Sequence, residues 1–281
     1  MNLNEISNEL KNKEIISNKF LFSIWVKINS YEKKLKFGEY DINGSFSIKK
    51  ITSNLVNGNT VNRYIVIPEG FSKHQLQERL KAIFNKKPGN LNTEIPNILI
   101  ANTYAYLLHH NLEDFILNIG KKSLEKIQKV WNERNKNIPI KNINEMLVMA
   151  SIVEKETGKN SEKNKIAGVF MNRLKSGMRL QSDPTVIFSI TKGKKFERKL
   201  SRKDLKFKSD FNTYLIKGLP PEPICIPGID SLKAVANPYN GNFFYFVSNN
   251  DGSHLFSETY SQHLRNVKLL RIKESNENGQ N

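Results

Sequence analysis

The stretch Met146-Leu-Val-Met-Ala-Ser-Ile-Val-Glu-Lys-Glu-Thr157 is the most constraining pattern in this chain. Residues 142–157 read as one helix. Val153, Ile152 and Met149 lie three, four and seven positions before Glu156, so a carboxyl ends an apolar stripe. A carboxyl on the buried side of a helix loses hydration, which disfavours its charged form and raises its pKa. A general acid working near neutral pH needs that condition. Glu154 follows Ala150 and Ser151, a more polar path, and is the alternative to Glu156. A solvated glutamate near a helix end is the plainer reading of either residue, and spacing alone leaves it open.

Around this helix the pattern predicts an α+β fold rather than a doubly wound sheet. Residues 4–26 read as helical, Gly38–Ile42 as a strand and Asn43-Gly44 as a tight turn. A short amphipathic helix over 47–55 is stopped by Gly58, and a strand over 64–67 is closed by Pro68-Glu-Gly70. Ser72 with Gln75 makes a capping box for a helix over 74–84. Pro88-Gly89, within 85–90, marks the best candidate boundary. Helices follow over 112–130 and 165–175, the latter stopped at Gly177. An extended stretch over 178–185, a proline-shaped loop over 220–228 and a strand over 242–248 complete the reading.

Several function classes are excluded by what the chain lacks. There is no Walker loop, dinucleotide-binding glycine pattern, His-Glu-x-x-His or nucleophile elbow. The five histidines have no metal-ligand spacing, His109-His110 reads as a surface pair, and a lone Cys225 excludes an intramolecular disulfide. No metal and no cofactor are expected. What remains is acid catalysis by carboxyl groups, or no catalysis. The formal charge of +17, with a lysine-rich run over 192–208, suits anionic surroundings: nucleic acid, an anionic lipid surface or an acidic polymer. No stretch approaches the roughly 20 apolar residues of a spanning helix, so the chain as given is expected to be soluble.

Gln181-Ser-Asp-Pro184 and Phe211-Asn-Thr-Tyr214 combine amides, a carboxylate and aromatic rings in restrained segments. Such a set suits a sugar, whose hydroxyls take hydrogen bonds while its apolar face takes a ring. The competing reading of Asp183 is a helix cap ahead of Pro184.

Together these motifs resemble the MltG (YceG-like) endolytic murein transglycosylases. The likeness runs through Ala150–Thr157, Val169-Phe-Met-Asn-Arg-Leu174 and Met178-Arg-Leu-Gln-Ser-Asp-Pro-Thr185. It continues through Phe211–Tyr214, Gly218-Leu-Pro-Pro221, Pro227-Gly228, Phe244-Tyr-Phe-Val247, Gly252–Phe256 and His263. Upstream, Gly38-Glu-Tyr40 and Ile67–Gly70 are similar to the family's LysM-like subdomain, so the resemblance covers about 38–267.

The resemblance implies an N-terminal helical segment (1–30), a small LysM-like α+β subdomain (31–88) and a larger mixed α/β catalytic domain (89–281). It implies cleavage within glycan strands between N-acetylmuramic acid and N-acetylglucosamine, leaving 1,6-anhydromuramoyl ends and helping to terminate strand elongation. By motif position Glu156 is the catalytic residue, with Glu154 as alternative, and Gln181, Asp183, Asn212, Thr213 and Tyr214 line the glycan groove. The implied setting is the outer, periplasmic face of the bacterial cytoplasmic membrane. There peptidoglycan strands, wall synthases of the penicillin-binding class and the anionic membrane surface are partners, and nucleic acid is not. The family's N-terminal membrane anchor has no counterpart in the chain as given. The competing functions are a water-using muramidase, with Glu156 as acid and Asp183 as base, a glycan-binding scaffold without catalysis, and a nucleic-acid binder.

Overall fold

A computed structural model describes residues 2–42, 46–61, 63–85, 92–107, 110–249 and 251–278. The expected turn at 43–44, most of the expected boundary at 85–90, and His109 lie outside the described residues. Helix outweighs strand, at about 49% against 7%, and the fold class is α+β.

The chain forms two compact units, one of residues 1–65 with 105–110, the other of 66–104 with 111–281. The smaller unit holds α1 (Leu3–Asn12), α2 (Lys19–Ile28) and α3 (Ile48–Asn57). These share one small core of Leu10, Ile16, Phe22, Val26, Ile51 and Leu55. The single helix expected over 4–26 is broken between α1 and α2. Glu14 takes a left-handed backbone (φ 57°), and Asn18 restarts the helix by accepting the amides of Phe20 and Leu21. Gly38–Ile42 is irregular rather than a strand. Its hydrogen bonding is scattered: Tyr40 donates its hydroxyl to Lys36 O, and Glu39 O accepts from the Val61 amide, so no ladder forms. The α3 helix follows its local signals, with Ser47 as cap and Gly58 left-handed at its end.

Strands β1 (Arg63–Ile67) and β2 (Asn102–Tyr106) form one two-stranded sheet, and the unit division falls within both. The larger unit continues with α4 (Lys73–Phe84), α5 (Leu112–Asn132), α6 (Ile143–Glu156), α7 (Asn160–Lys175), α8 (Asp183–Thr191) and α9 (Ile229–Ala236). It ends with β3 (Tyr245–Ser248), paired antiparallel to β4 (His254–Ser257), and α10 (Tyr260–Asn278). Ser72 and Gln75 form the expected capping box on α4.

Helix α6 is the axis of this unit. Every residue from Met146 to Val153 is buried, because the segment is apolar on all sides and α5, α7 and α9 pack around it. Each of its large side chains removed from water stabilises the fold by roughly 1.5–3 kcal/mol. Two boundaries differ from the sequence reading nearby. α7 begins five residues earlier than expected, at Asn160, and the extended stretch after Gly177 ends at Ser182, which takes the N-cap position of α8. Asp183 is therefore the first helical residue and not the cap.

Candidate active site

Glu156 is the last residue of α6, where the helix leaves the core. Part of the residue reaches the surface, but its carboxyl is withdrawn from water. Desolvation pushes its pKa up to about 7. The Ser182 hydroxyl and the Arg173 guanidinium pull it down, while the Asp183 carboxylate pushes it up. Ser182 Oγ donates to Glu156 Oε1 at 2.5 Å. Arg173 is itself buried on α7, donating from Nε to Phe244 O (2.7 Å) and from Nη1 to Leu180 O (2.6 Å). Burial lowers its pKa, and its guanidinium lies 5.5 Å from the Tyr245 ring centre.

A second segment fixes the serine. The Ser182 amide donates to Thr213 Oγ1 (2.9 Å), and the Gln181 amide donates to Thr213 O (3.1 Å). Gln181 is left-handed (φ 52°), which turns the chain from the extended stretch into α8. Thr213 and Asn212 are fully buried, and Asn212 donates to Leu205 O and Phe207 O while accepting the Tyr214 amide. Of the five residues expected along a groove, these two face inward and hold backbone. Gln181 and Asp183 are exposed and Tyr214 partly so. Tyr214 donates its hydroxyl to Asp183 Oδ1 at 2.7 Å, and burial together with that carboxylate raises its pKa.

Glu154 has a different environment from the polar path expected for it. Ala150 and Ser151 are buried, and so is Glu154's side chain, at 6% exposure, beside Lys163 at 2%. Its Oε1 accepts from Lys163 Nζ (3.1 Å), and its Oε2 accepts from the Gly228 amide (2.8 Å) and the Ser231 hydroxyl (2.6 Å). Both oxygens are taken as acceptors, so Glu154 is built to join α6, α7 and the start of α9, not to offer a proton. Glu69 stands 3.7 Å from the same lysine. Its pKa is raised by burial and by the neighbouring Glu154. A Cβ at Gly228 would meet the Glu69 carboxyl, so a larger residue there requires the Glu69 side chain to move.

The family model described as "YceG-like family" matches residues 1–269. The chain belongs to the YceG-like family. An endolytic murein transglycosylase of Bacillus subtilis (strain 168) is 29% identical over 97% of this chain and 82% of its own length. A protein of the same name from Streptococcus pneumoniae (strain D39) is 25% identical over 95% of this chain, which spans only 56% of that relative. The 2.6 Å crystal structure of a YceG-like protein from Listeria monocytogenes superposes with a TM-score of 0.59 at 28% identity, covering 94% of this chain and 95% of that one.

Sequence reasoning missed three of this YceG-like site's residues. Ser182 lay inside a quoted motif, but a buried serine hydroxyl aimed at a carboxyl 26 positions earlier leaves no local trace. Arg173 falls within the Val169–Leu174 motif, but nothing in the sequence assigns its side chain a role at the carboxyl. Lys163 is buried in the turn that precedes the expected start of its helix. His263, at the end of the resemblance, stacks on Tyr245 at 5.4 Å, and its Nδ1 is buried with no hydrogen-bond partner. Among the described residues no group of three or more His, Cys, Asp or Glu is placed to hold a metal ion. Cys225 is buried and inert, its thiol pushed far up by desolvation.

Proposed function

We propose that this chain is an endolytic murein transglycosylase in which Glu156 performs both proton transfers. The carrying observation is a single desolvated carboxyl, with a pKa of about 7, at the edge of a partly exposed polar cluster. Protonated Glu156 gives its proton to the glycosidic oxygen as the bond from that oxygen to the muramoyl anomeric carbon breaks. The resulting carboxylate then takes the proton of the muramoyl 6-hydroxyl as that oxygen bonds to the anomeric carbon. No water is consumed, and the products are a 1,6-anhydromuramoyl end and a free 4-hydroxyl. A pKa near neutrality suits both directions of transfer, since neither protonation state is costly to reach. Ser182 orients the carboxyl and stabilises it once charged. Gln181, Asp183 and Tyr214 form the exposed polar wall that contacts glycan, with Asn212 and Thr213 bracing it from behind.

The division into a helical start (1–30), a LysM-like stretch (31–88) and a catalytic region (89–281) belongs to the same reading. Within it, Pro68–Gly70 pack against the catalytic region: the Gly70 amide donates to Ile226 O at 3.0 Å, and Glu69 reaches Lys163. Work on the outer face of the cytoplasmic membrane, beside wall synthases, is the setting in which such an enzyme meets nascent strands. No described helix is long and apolar enough to cross a membrane.

Mass spectrometry of peptidoglycan digested with the protein and with Glu156→Gln tests the reading. Anhydro-ended internal fragments, lost in the variant, are the expected result. Reducing ends would overturn it in favour of hydrolysis with Asp183 as base, and no release by either protein would leave a binding scaffold.

A further inference from the structure

The segment 192–208 carries nine Lys and Arg against two acids, seven of the chain's seventeen net positive charges. All nine cations are exposed. Both acids are consumed locally: Glu197 pairs with Lys195 at 2.6 Å, and Asp204 takes a two-pronged contact from Arg198. The surplus is therefore not neutralised within the segment.

The segment is also braced. Ser201 and Asp204 cap one another, Arg198 lies over the Phe196 ring at 4.9 Å, and Gly193 O accepts the Ser72 hydroxyl at 2.6 Å. Ordering long cationic side chains next to one another costs free energy through self-repulsion, which an anionic ligand offsets. A depression of about 600 Å³ opens here, with Lys203, Lys206 and Lys208 on its rim.

Its place relative to the site is fixed at both ends. The segment leaves from the C-terminal end of α8, whose N-terminal end carries Ser182 and Asp183. It returns into Asn212, whose amide holds Leu205 O and Phe207 O, one residue before Thr213 and two before Tyr214. A strand lying on Asp183 and Tyr214 has this basic surface beside it.

On the transglycosylase reading, that strand carries a peptide on each muramoyl unit, and uncross-linked peptides end in carboxylates. We propose that the 192–208 segment is a subsite for the stem-peptide carboxylates of the bound strand, with Lys203, Lys206 and Lys208 as its principal contacts. The proposal rests on that reading and adds what kind of strand the site selects: peptide-bearing and uncross-linked. Connection to the groove through Asn212 favours substrate over a lipid headgroup, since a membrane contact has no need to end at Thr213.

The test measures binding, not turnover, with the full chain carrying Glu156→Gln. Uncross-linked strands bearing stem peptides are compared with the same strands after their carboxylates are converted to carboxamides. The expected result is roughly tenfold weaker binding of the carboxamide strands, the sum of a few screened charge contacts. The difference disappears on going from about 0.1 M to about 1 M salt, as the Debye length falls from ~10 to ~3 Å. Adding Lys203→Ser, Lys206→Ser and Lys208→Ser abolishes the discrimination, while arginine at the three positions retains it, which separates charge from folding. Equal binding of both strands by the parent protein overturns the proposal, as does discrimination that survives the triple serine change. Loss of sedimentation with phosphatidylglycerol vesicles in the triple variant, with no strand discrimination in the parent, overturns it in favour of a lipid surface. Anhydro products without discrimination leave the enzyme reading standing and remove only the subsite. Discrimination without any products from the unmutated protein does the reverse.

Discussion

Glu154 and Glu156 stand two residues apart on one helix, and the fold gives them opposite chemistry. Glu154 is closed off by Lys163, the Gly228 amide and Ser231, whereas Glu156 meets one hydroxyl, from Ser182, and is otherwise desolvated. An ion pair with two further donors makes a fixed acceptor. A lone desolvated carboxyl with a pKa of about 7 makes a proton carrier.

Replacing Glu156 by Gln should therefore abolish turnover, by at least about a hundredfold, while the protein stays folded. It should also stabilise. The wild-type carboxyl ionises near 4.5 when unfolded and near 7 when folded, so the folded state binds more protons between those values and stability falls as pH rises through that window. Above it the glutamine variant gains up to about 3 kcal/mol over wild type, and below about pH 4 it gains nothing. Denaturant melts at pH 4 and pH 8 check both halves.

The pH dependence of kcat/KM follows from the same group. The free enzyme must hold its proton to begin, so kcat/KM should fall as pH rises through about 7. Ser182→Ala removes a hydrogen bond that favours the charged form, so this limb should move to higher pH while kcat/KM drops roughly tenfold. A limb that stays in place in the Ser182 variant would assign it to another group.

Glu154→Ala should behave as a folding mutant. Among the described residues it leaves Lys163 with Glu69 alone, at 3.7 Å, and leaves the Gly228 amide and Ser231 hydroxyl without their acceptor. Breaking a buried pair in this way costs about 3–5 kcal/mol. The protein that remains folded should show an unchanged kcat/KM limb near pH 7, by thermal melts and pH–rate profiles on the same preparation.

Asn212 and Tyr214 should separate bracing from contact. Asn212→Ala strips two carbonyls and one amide of their partners and should cost about 2–3 kcal/mol in a denaturant melt. Tyr214→Phe removes one hydroxyl from Asp183 and should raise KM a few-fold with a stability change under about 1 kcal/mol. Equal stability losses in the two variants would contradict this division.

Local chemistry was legible wherever a few neighbouring residues decide the backbone. The Ser72–Gln75 box, the Ser47 cap and the stop at Gly58 each follow from groups within four positions. Gly38–Ile42 misled because a strand needs a partner, and its alternation says nothing of whether one arrives. The Met149–Val153 stripe gave the direction of Glu156's displacement from water, since helical geometry carries a side chain's face from residue to residue. The same reasoning failed for Glu154, because Ala150 and Ser151 are themselves buried, Ser151 under the 224–225 loop that hydrogen-bonds to it.

Sequence by itself thus determined α3, α4, α5 and α6, the caps of the first two, the family likeness and which helix carries the carboxyls. Only tertiary structure decided which carboxyl is locked and which can exchange a proton. That choice depends on Lys163, Ser182, Gly228 and Ser231, which lie up to 77 positions away and reach α6 only once the chain has packed. Desolvation and hydrogen bonding act over a few ångströms of space, whatever the distance along the chain.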